Sequence, residues 1–471
     1  MIISPQPGKY RPATDILDID GIGDPVAAAD FPQTILRFRN DRWATTVGLD
    51  DLGDEQWLAH FGRFSPLPGS LEQPLALRYH GHQFRVYNPD IGDGRGFLFA
   101  QMRDSRDRLM DLGTKGSGQT PYSRFGDGRL TLKGGVREIL ATEMLEALGV
   151  NTSKTFSLIE TGEPLSRNDE PSPTRSAVLV RLSHSHIRIG SFQRAAALGD
   201  EALIRSLTDY ALTRLYGVAP SGDPGAQLLN LVVERTADLA ATYVIAGFVH
   251  GVLNSDNINV TGESFDYGPW RFTPRWEPGF TAAYFDHQGL YAFARQAEAI
   301  HWDVAQLATS LRLISETEPL VEALNRYPEL YGAAMRRRFC WRLGIVQPEG
   351  EAANQLAESA VRALMDTDML IDDFFFDWRG GSLRSPDAEQ RYSGEQWAQF
   401  RDLVATANAK DSLDHAYWRV TKPCSMHIEE VEAIWSAIAS DDDWSPLYEK
   451  VERIRQMGAA LSQDEGALSS A

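Results

Sequence analysis

The chain has 471 residues, of which 43% are apolar and 24% charged, and its formal net charge at pH 7 is −19. This length and balance are typical of a globular protein with at most about three domains, and they exclude a disordered, collagenous or fibrous chain. The acidic excess argues against a surface that binds nucleic acid or an anionic membrane without specificity. Only two cysteines, Cys340 and Cys424, are present, which excludes a disulfide scaffold and a cysteine-rich zinc site.

The hydropathy pattern gives no sign of targeting or membrane insertion. The segment Met1–Gly21 lacks a basic region followed by an apolar one, and its aspartates argue against a transit peptide. The longest apolar stretch, around Leu239–Val249, reaches about half the length that a membrane-spanning helix needs. We therefore expect a soluble, cytoplasmic protein that binds neither nucleic acid nor membranes.

Residues 91–135 are rich in glycine, which predicts short strands separated by turns. Apolar runs at Phe97–Ala100 and Leu109–Leu112 are candidates for two of these strands. From Val136 to Leu148 apolar residues fall at helical spacing, and Gly149 is a natural end for that helix. This part of the chain is therefore predicted to form strands followed by one helix.

Beyond this helix the pattern changes from mixed to helical. Glu163–Thr174 is polar and contains prolines, which predicts a loop, and Ala177–Arg181 predicts a buried strand. Helical spacing then predicts helices over 200–217, 224–249, 300–314, 319–343, 352–378, 394–409 and 426–457. We expect an α+β fold with a strand-bearing domain at 1–200, a mainly helical domain at 201–471 and a frayed tail at Ser462–Ala471.

The first candidate site is the segment Asp90-Ile-Gly-Asp-Gly-Arg-Gly96, whose glycines at 92, 94 and 96 alternate with other residues. Glycine lets backbone N–H groups approach a phosphate closely, and Arg95 can add charge-assisted hydrogen bonds. The segment matches neither the G-x-x-x-x-G-K-[ST] phosphate loop nor a complete G-x-G-x-x-G motif. Taken alone, it is more typical of a tight hairpin turn.

The second candidate is the pair Lys115 and Glu138. Lys115 follows a strand-like run, and Glu138 lies some twenty residues later on the predicted helix. A strand lysine that pairs with a helix glutamate holds nucleotide phosphates in protein kinases. The alternative is a surface lysine and a solvated glutamate, which is the commoner fate of both residue types.

The third candidate is Arg181-Leu-Ser-His-Ser-His-Ile-Arg188. If the strand continues through it, alternation places His184, His186 and Arg188 on one face. A His-x-His pair can bind zinc, but no further ligand set accompanies it here. Two arginines near a nucleotide are better suited to binding phosphates.

The fourth candidate is the most informative, because His250-Gly-Val-Leu-Asn-Ser-Asp-Asn257 precedes Asp266-Tyr-Gly268. Phosphoryl-transfer sites need a carboxylate near the attacking hydroxyl, and an amide and a second carboxylate on a divalent cation. Oxygen ligands favour Mg²⁺ or Mn²⁺ over zinc. The alternative, that these are turn residues, does not explain why an Asp-Tyr-Gly motif and a Lys/Glu pair occur in kinase order.

Several ordered motifs resemble those of the selenoprotein O family, also called YdiU, from about residue 31 to 345. The motifs are Tyr79-His-Gly-His-Gln-Phe84, Gly92–Gly96, Lys115–Arg124, Gly126–Arg129, Ser185–Gly190, Gly247–Asn257, Asp266–Pro269 and Asp286–Phe293. The resemblance implies a protein-kinase-like bilobal fold, with a strand-bearing N-terminal lobe and a mainly helical C-terminal lobe. It further implies that ATP binds in an inverted orientation and that AMP is transferred to Ser, Thr or Tyr hydroxyls of proteins.

The resemblance also implies roles for residues, position by position. ATP would be contacted by Gly92, Gly94, Arg95, Lys115, Asp127, Gly128, Arg181, Arg188 and Asp266. Lys115 would bind phosphate and pair with Glu138. Asp256 would be the proton acceptor, and Asn257 and Asp266 would ligate Mg²⁺ or Mn²⁺.

Two other functions remain open from the residues themselves. The chain could be a protein or small-molecule kinase, or a non-catalytic ATP-binding pseudokinase scaffold. Asp256, Asn257, Asp266 and Lys115 argue against the scaffold, because a binding module needs no base. The partners expected of the enzyme are protein substrates, including the enzyme itself.

The sequence departs from the family near its end. Many members carry a cysteine or selenocysteine motif there, whereas this sequence ends Glu465-Gly-Ala-Leu-Ser-Ser-Ala471. The segment Thr421–His427 lacks an expected Asn-Pro stretch, and the resemblance beyond about residue 345 is weak. Cys340 and Cys424 either pair or stay as buried thiols.

Overall fold

The first part of the chain forms a large antiparallel sheet in the computed structural model, which describes residues 7–168, 170–410 and 412–462. The described strands are β1 (Pro12–Ala13), β2 (Gly23–Pro25), β3 (Ile35–Arg39), β4 (Leu75–Leu77), β5 (Gly81–Gln83), β6 (Val86–Asn88), β7 (Leu98–Arg103), β8 (Leu109–Lys115), β9 (Leu130–Thr131), β10 (Lys154–Leu165), β11 (Thr174–Ser183), β12 (Phe248–Val249) and β13 (Arg271–Phe272). The sheet order is β2-β4-β7-β8-β11-β10-β3, with β1 beside β7 and β9 beside β11. Two further pairs, β5–β6 and β12–β13, lie outside this sheet.

The two strands predicted from the glycine-rich region are confirmed as β7 and β8, and the strand predicted at Ala177–Arg181 is confirmed as β11. In the pairing of β8 with β11, Lys115 lies opposite Leu179 and Gly113 opposite Arg181. The predicted loop Glu163–Thr174 is too long, because β10 extends to Leu165 and β11 begins at Thr174. The sequence pattern also gave no sign of β10, whose first eight residues are all buried and therefore show no alternation.

The predicted first helix is confirmed as α3 (Leu132–Ala147). Thr131 caps its start, since its hydroxyl oxygen accepts a hydrogen bond from the Gly134 N–H at 3.1 Å. Gly149 follows its end with a φ of +78°, a conformation that glycine adopts at little cost. The helix packs on β10 and β11, which brings Glu138 against the sheet.

The described chain after β11 is mainly helical, as predicted, whereas the helices Asp41–Val47 and Asp54–Phe61 in the first part were not predicted. The helices, besides α3, are α1 (Asp41–Val47), α2 (Asp54–Phe61), α4 (Ile189–Ala197), α5 (Glu201–Tyr210), α6 (Pro224–Ala246), α7 (Gln296–Leu311), α8 (Thr317–Asn325), α9 (Tyr327–Leu343), α10 (Glu351–Met365), α11 (Ile371–Asp377), α12 (Ala398–Val404), α13 (Ile428–Asp441) and α14 (Ser445–Leu461). A π-helical turn, Ala211–Leu215, continues α5. The fold is therefore a mixed α and β fold with a large antiparallel sheet.

Three of the predicted long helices are interrupted. The segment 319–343 is divided between α8 and α9 at Arg326, next to Pro328, whose ring cannot continue a helix. The segment 352–378 breaks at the Asp-Thr-Asp sequence after Met365, and 426–457 breaks at Asp442, which has a φ of +50°. Aspartate and threonine favour such breaks because their side chains compete for backbone hydrogen bonds.

The last two helices return to the first helix of the sheet region. Both α13 and α14 pack against α3. Arg455 on α14 forms an ion pair of 2.6 Å with the buried Glu143 of α3. Asp442, between the two helices, pairs with Arg175 of β11 at 2.7 Å. These contacts fix the end of the described chain to the sheet region. The predicted frayed tail, Ser462–Ala471, lies outside the described residues except for Ser462.

None of the described helices is both long and apolar enough to cross a membrane. Cys340 and Cys424 are free, buried thiols. They belong to different apolar clusters, Cys340 with α10 and α11 and Cys424 with α14. Burial raises the pKa of the Cys340 thiol to about 11, so it stays protonated at neutral pH.

Candidate active site

A cavity of about 720 Å³ is lined by residues of the glycine-rich region and of the loops that follow α6. Most of the predicted site residues line this cavity: Gly92, Gly94, Arg95, Lys115, Asp127, Gly128, Arg181, Asp256, Asn257 and Asp266. Glu138 and Arg188 do not line it, but each contacts a residue that does. Residues that are far apart in the sequence are thus brought together around one volume.

The glycine segment connects β6 to β7, which are not paired with each other, so it is not the hairpin turn that the alternative predicted. Its glycines allow close packing: a Cβ at Gly96 would lie 2.0 Å from the Thr114 carbonyl oxygen, and one at Gly92 would lie 2.5 Å from the Tyr122 ring. The Ser123 hydroxyl donates to the Gly94 carbonyl at 2.5 Å. The segment is therefore held in one position at the edge of the cavity.

Asp127 and Gly128 follow in a second loop of the cavity wall. The Asp127 carboxylate is half-exposed and forms two hydrogen bonds with Arg167, of 2.8 Å and 3.1 Å. Gly128 has a φ of +70°, and a Cβ there would lie 2.3 Å from Gly118. This contact and the Asp127–Arg167 pair fix the loop beside the cavity.

Lys115 and Glu138 form a buried ion pair. The Lys115 Nζ lies 2.8 Å from Glu138 Oε2 and also donates to the Tyr267 carbonyl oxygen at 3.2 Å. The two side chains are 7% and 1% exposed, which contradicts the alternative of a surface lysine and a solvated glutamate. Burial lowers the pKa of Lys115, although the nearby Glu138 acts in the opposite direction.

Asp266 is bound by both arginines of the third candidate segment. Arg181 Nη1 lies 2.5 Å from Asp266 Oδ1, and Arg188 Nη1 lies 3.3 Å from Oδ2. Burial alone would raise the pKa of Asp266, but the charges of these arginines and of Lys115 hold it well below its usual range. Asp266 also has a φ of +61°, which is uncommon for a residue with a side chain and is often found at functional sites.

Asp256 lies in a 3₁₀ turn, Ser255–Asn257, and its side chain is buried. Its Oδ1 has no hydrogen-bond partner within the described part of the chain. Burial raises the pKa of Asp256 to about 6, an effect that the positive charge of Arg188 reduces but does not cancel. The turn predicted by the alternative is present, and it places Asp256 in the cavity wall, with the unpaired Oδ1 buried on the side of Gly81.

Asn257 follows Asp256 and also faces the cavity. Its Nδ2 donates to the Val252 carbonyl oxygen at 2.9 Å. Because the amide nitrogen is engaged in this hydrogen bond, the amide oxygen, Oδ1, is the atom that can bind a cation. Asn257 Oδ1 and the Asp266 carboxylate are thus two oxygen donors on one cavity.

The prediction that His184, His186 and Arg188 share one face of a strand is wrong. β11 ends at Ser183, and Ser185, with a φ of +87°, turns the chain. The His184 ring lies between the Leu109 and Leu215 carbonyl oxygens, whereas His186 contacts Asp111 and Arg181. In residues 7–168, 170–410 and 412–462, no group of three or more His, Cys, Asp or Glu side chains is arranged to hold a metal ion.

The sequence profile of a family described as "Protein adenylyltransferase SelO" matches residues 9–455. The chain belongs to this family. It is 42% identical to the protein nucleotidyltransferase YdiU of Synechococcus elongatus, over 95% of each chain. Proteins of the same name from Trichodesmium erythraeum and from a Synechocystis species are 41% and 39% identical, each over 95% of this chain and 98% of its own.

Family membership confirms the resemblance and extends it. The match continues beyond residue 345, where motifs alone were weak, and covers the helices up to most of α14. The chain is an enzyme of the nucleotidyltransferase class, and adenylyl transfer implies ATP as its substrate.

Two residues of the cavity were missed by the sequence reasoning. Asp93 lies 3.5 Å from Arg188 Nη2, and its Oδ2 accepts the Leu77 N–H at 3.0 Å. The Arg188 guanidinium lies over the Tyr79 ring, with its Cζ 4.1 Å from the ring centroid. Both residues belong to motifs that the sequence analysis named: Asp93 lies inside the glycine segment, and Tyr79 begins the Tyr-His-Gly-His-Gln-Phe motif. Neither position indicates a contact with an arginine about a hundred residues away.

Proposed function

We propose that this chain transfers AMP from ATP to Ser, Thr or Tyr hydroxyls of proteins, with Mg²⁺ or Mn²⁺ as its cofactor and in the cytoplasm. The observation that carries the proposal is one cavity that is lined both by the carboxylate of Asp256 and by the cations of Arg95, Lys115 and Arg181. A base and a set of phosphate-binding cations are the two requirements of transfer from a nucleotide to a hydroxyl.

The proposed architecture is kinase-like and bilobal, with a strand-bearing domain at 1–200 and a helical domain at 201–471. Three observations support it. The sheet strands all precede residue 184, the cavity is lined by residues of both ranges, and the Lys115–Glu138 pair joins a strand to a helix. In this arrangement α13 and α14 belong to the second domain by sequence but pack against α3 of the first.

Gly92, Gly94 and Arg95 are the proposed contacts of the glycine segment with ATP. The segment is fixed from beneath by Tyr122 and Ser123, so its backbone does not need to reorganise when phosphate arrives. Arg95 is exposed and free to move toward the nucleotide. Asp127 and Gly128, in the neighbouring loop, are proposed to contact the nucleotide as well.

Lys115, Arg181 and Arg188 are the proposed cations for the phosphates. Glu138 holds Lys115 in position, since its own side chain is fully buried and cannot follow the lysine outward. The two arginines are paired with Asp266, and with Lys115 they place three cations near that carboxylate. Such a cluster stabilises the negative charge that develops on a leaving pyrophosphate.

Asn257 and Asp266 are the proposed metal ligands. The free Oδ1 of Asn257 and the ionised carboxylate of Asp266 suit a hard divalent cation. Two protein ligands are few for a site made of protein alone, but Mg²⁺ normally completes its coordination with water and substrate phosphates. When bound, the cation would neutralise charge on the phosphates and orient them.

Asp256 is the proposed base. With a pKa of about 6 it is mostly ionised at neutral pH, and its carboxylate lines the cavity, where it can accept a proton. The acceptor hydroxyl forms a bond to the α-phosphorus while the bond from this phosphorus to the α–β bridging oxygen breaks. The hydroxyl proton passes to Asp256, and pyrophosphate leaves with the electrons of the broken bond.

The experiment supplies ATP labelled either at the α- or at the γ-phosphate, with Mg²⁺ or Mn²⁺, to the enzyme alone and to the enzyme with purified proteins. We expect α-label, and no γ-label, on protein, and on the enzyme itself when no other protein is present. Asp256→Asn should abolish the signal, whereas Asp209→Asn, an exposed aspartate on α5, should not. Incorporation of γ-label alone would identify a kinase, and incorporation of neither label would favour the scaffold.

A further inference from the structure

The Tyr79-His-Gly-His-Gln-Phe84 motif has no part in the proposed chemistry, yet it contacts the turn that carries Asp256. Gly81 begins β5, and a Cβ there would lie 2.9 Å from Asp256 Oδ1. The Phe84 N–H donates to Asn254 Oδ1 at 3.1 Å. The hairpin β5–β6 therefore lies directly against the residues before and at the proposed base.

Three hydrogen bonds join this hairpin, helix α4 and the Asp256 turn in a closed ring. The His82 backbone N–H donates to Ser255 Oγ at 2.7 Å, and that hydroxyl donates to Gln193 Oε1 at 2.5 Å. Gln193 Nε2 lies 2.6 Å from His82 Nδ1, which closes the ring. Since an amide nitrogen can only donate, His82 Nδ1 is the acceptor and carries no proton.

The ring is buried at its centre. Ser255 is fully buried and Gln193 is 5% exposed, whereas His82 is only partly buried. The Ser255 hydroxyl and both polar atoms of the Gln193 side chain form hydrogen bonds to other members of the ring. A satisfied buried network of this kind specifies one geometry, because any other orientation would leave a buried polar group unpaired.

We infer that Gln193 is a positioning residue, which sets the orientation of Asp256 by holding Ser255 against the hairpin. The inference rests on the proposed function, in which Asp256 is the base. Ser255 precedes Asp256 directly in the 3₁₀ turn, so displacement of Ser255 moves the carboxylate relative to the acceptor hydroxyl. A small displacement of a catalytic group lowers the rate steeply even when the fold is preserved.

The glycine segment and Lys115, two of the proposed contacts with ATP, do not touch this ring and are held by Tyr122, Ser123 and Glu138. Arg188 donates to the Asp256 carbonyl oxygen at 3.1 Å, but its guanidinium is also held by Asp93 and Asp266. Loss of the ring should therefore lower kcat while the KM for ATP stays nearly constant. A residue that merely stabilised the fold would not produce this separation.

Gln193→Met is the decisive variant, because methionine has a similar length and volume but forms neither hydrogen bond. Gln193→Glu is the rescue: its carboxylate accepts from the Ser255 hydroxyl and also from His82 Nδ1, once the imidazole proton moves to that nitrogen. The matched control is Gln227→Met on α6, where the glutamine also makes two hydrogen bonds, with Ser221 and Ala219, remote from the cavity.

The experiment measures kcat and the KM for ATP by incorporation of α-label, with thermal unfolding of each variant. We expect Gln193→Met to lower kcat by about 10–100-fold with a KM within about twofold of the parent value. Gln193→Glu should recover most of kcat, and Gln227→Met should retain it. His82→Ala, which removes the acceptor from the partly exposed side, should lower kcat by a smaller factor.

An unchanged kcat in Gln193→Met or His82→Ala would overturn the inference, as would equal losses in Gln193→Met and Gln193→Glu. Asp256→Asn in the same assay separates this failure from failure of the proposed function. If Asp256→Asn is inactive and Gln193→Met fully active, only the positioning role is refuted. If Asp256→Asn is fully active, the assignment of the base is refuted, and the inference falls with it.

Discussion

The Lys115 Nζ lies 2.8 Å from Glu138 Oε2, between strand β8 and helix α3, and both side chains are almost fully buried. The pair is also close to Arg181, whose Nη1 lies 4.0 Å from the other Glu138 oxygen. That oxygen, Oε1, is buried and makes no hydrogen bond with any described residue. Glu138 thus offsets part of the positive charge of Lys115 and Arg181, which Asp266 also offsets, and its removal leaves Lys115 without its ion-pair partner.

Glu138→Gln should therefore lower both turnover and stability. Removing one partner of a buried ion pair destabilises a fold by roughly 3–5 kcal/mol at most, and less where the other partner can lose its proton as Lys115 can. We expect kcat to fall at least about tenfold, because Lys115 loses its fixed position. The readouts are α-label incorporation and the free energy of unfolding.

The matched control is Glu143→Gln, on the same helix. Glu143 is also buried and pairs with Arg455 at 2.6 Å, away from the cavity. This variant should lose stability and keep its kcat per folded molecule. If both variants lose the same fraction of kcat, the Lys115–Glu138 pair has no particular role in turnover.

The sequence predicted the members of the candidate site better than their contacts. Lysine, glutamate and aspartate in kinase order pointed to Lys115, Glu138, Asp256 and Asp266, and the family resemblance added Gly92, because a short motif carries the chemistry with it. The ion pairs of Arg188 with Asp93 and Asp266 could not be predicted from such motifs. They join the glycine segment, the start of α4 and a loop beyond α6, and no local pattern records that these distant segments approach each other.

The fold shows the same division between local and long-range information. β8 and α3 have clear local patterns, apolar runs or helical spacing, and were predicted. β10 was missed, because a strand buried on both faces lacks alternation. The breaks near Asp442 and after Met365 were missed because apolar residues at helical spacing continue on both sides of each short loop.

Asp266→Ala should abolish the dependence of nucleotide binding on metal. The variant loses the proposed carboxylate ligand, so Mn²⁺ can no longer be held between protein and phosphates. It also frees Arg181 and Arg188, which pair with Asp266 at 2.5 Å and 3.3 Å. Binding without metal should therefore be retained or become tighter, since two cations are released toward the phosphates.

The measurement is calorimetric titration with a non-hydrolysable ATP analogue, in Mn²⁺ and again in a chelator. For the parent protein, affinity should be much higher with Mn²⁺. For Asp266→Ala the two titrations should agree. A variant that keeps the full effect of Mn²⁺ would remove Asp266 from the metal site.

Gly92→Ala should weaken ATP binding through a steric contact. The new Cβ would lie 2.5 Å from the Tyr122 ring, so either the ring or the glycine segment must move. Overpacking of this kind costs roughly 1–3 kcal/mol, and here it displaces the backbone proposed to contact phosphate. We expect the KM for ATP to rise severalfold.

A second substitution tests the cause. Tyr122→Ala removes the ring that the added methyl group would strike, so Gly92→Ala combined with Tyr122→Ala should bind ATP better than Gly92→Ala alone. If the double variant is weaker than either single variant, the steric explanation is wrong. The backbone N–H of residue 92 would then be affected directly.

The last prediction concerns stability and pH, at a site remote from the cavity. Asp238 on α6 forms ion pairs with Arg337 and Arg338 of α9, each at 2.6 Å. Burial alone would raise the pKa of Asp238, but its hydrogen bonds and charge interactions with the two arginines lower it to about 2 from the ordinary value of 3.8. Because the folded-state pKa is depressed, the ionised carboxylate stabilises the fold above the ordinary value, and the benefit is lost as pH falls toward 2.

Asp238→Asn removes that benefit, which corresponds to about 2 kcal/mol. The free energy of unfolding, from urea denaturation, should therefore differ between parent and variant by this amount at pH 7. The difference should fall to roughly half near pH 3, since protonation of the parent already cancels part of the interaction. The exposed-site control Asp209→Asn should match the parent at both values of pH. A difference for Asp238→Asn that stays constant from pH 7 to pH 3 would mean that the ion pairs, although close, contribute nothing to the link between α6 and α9.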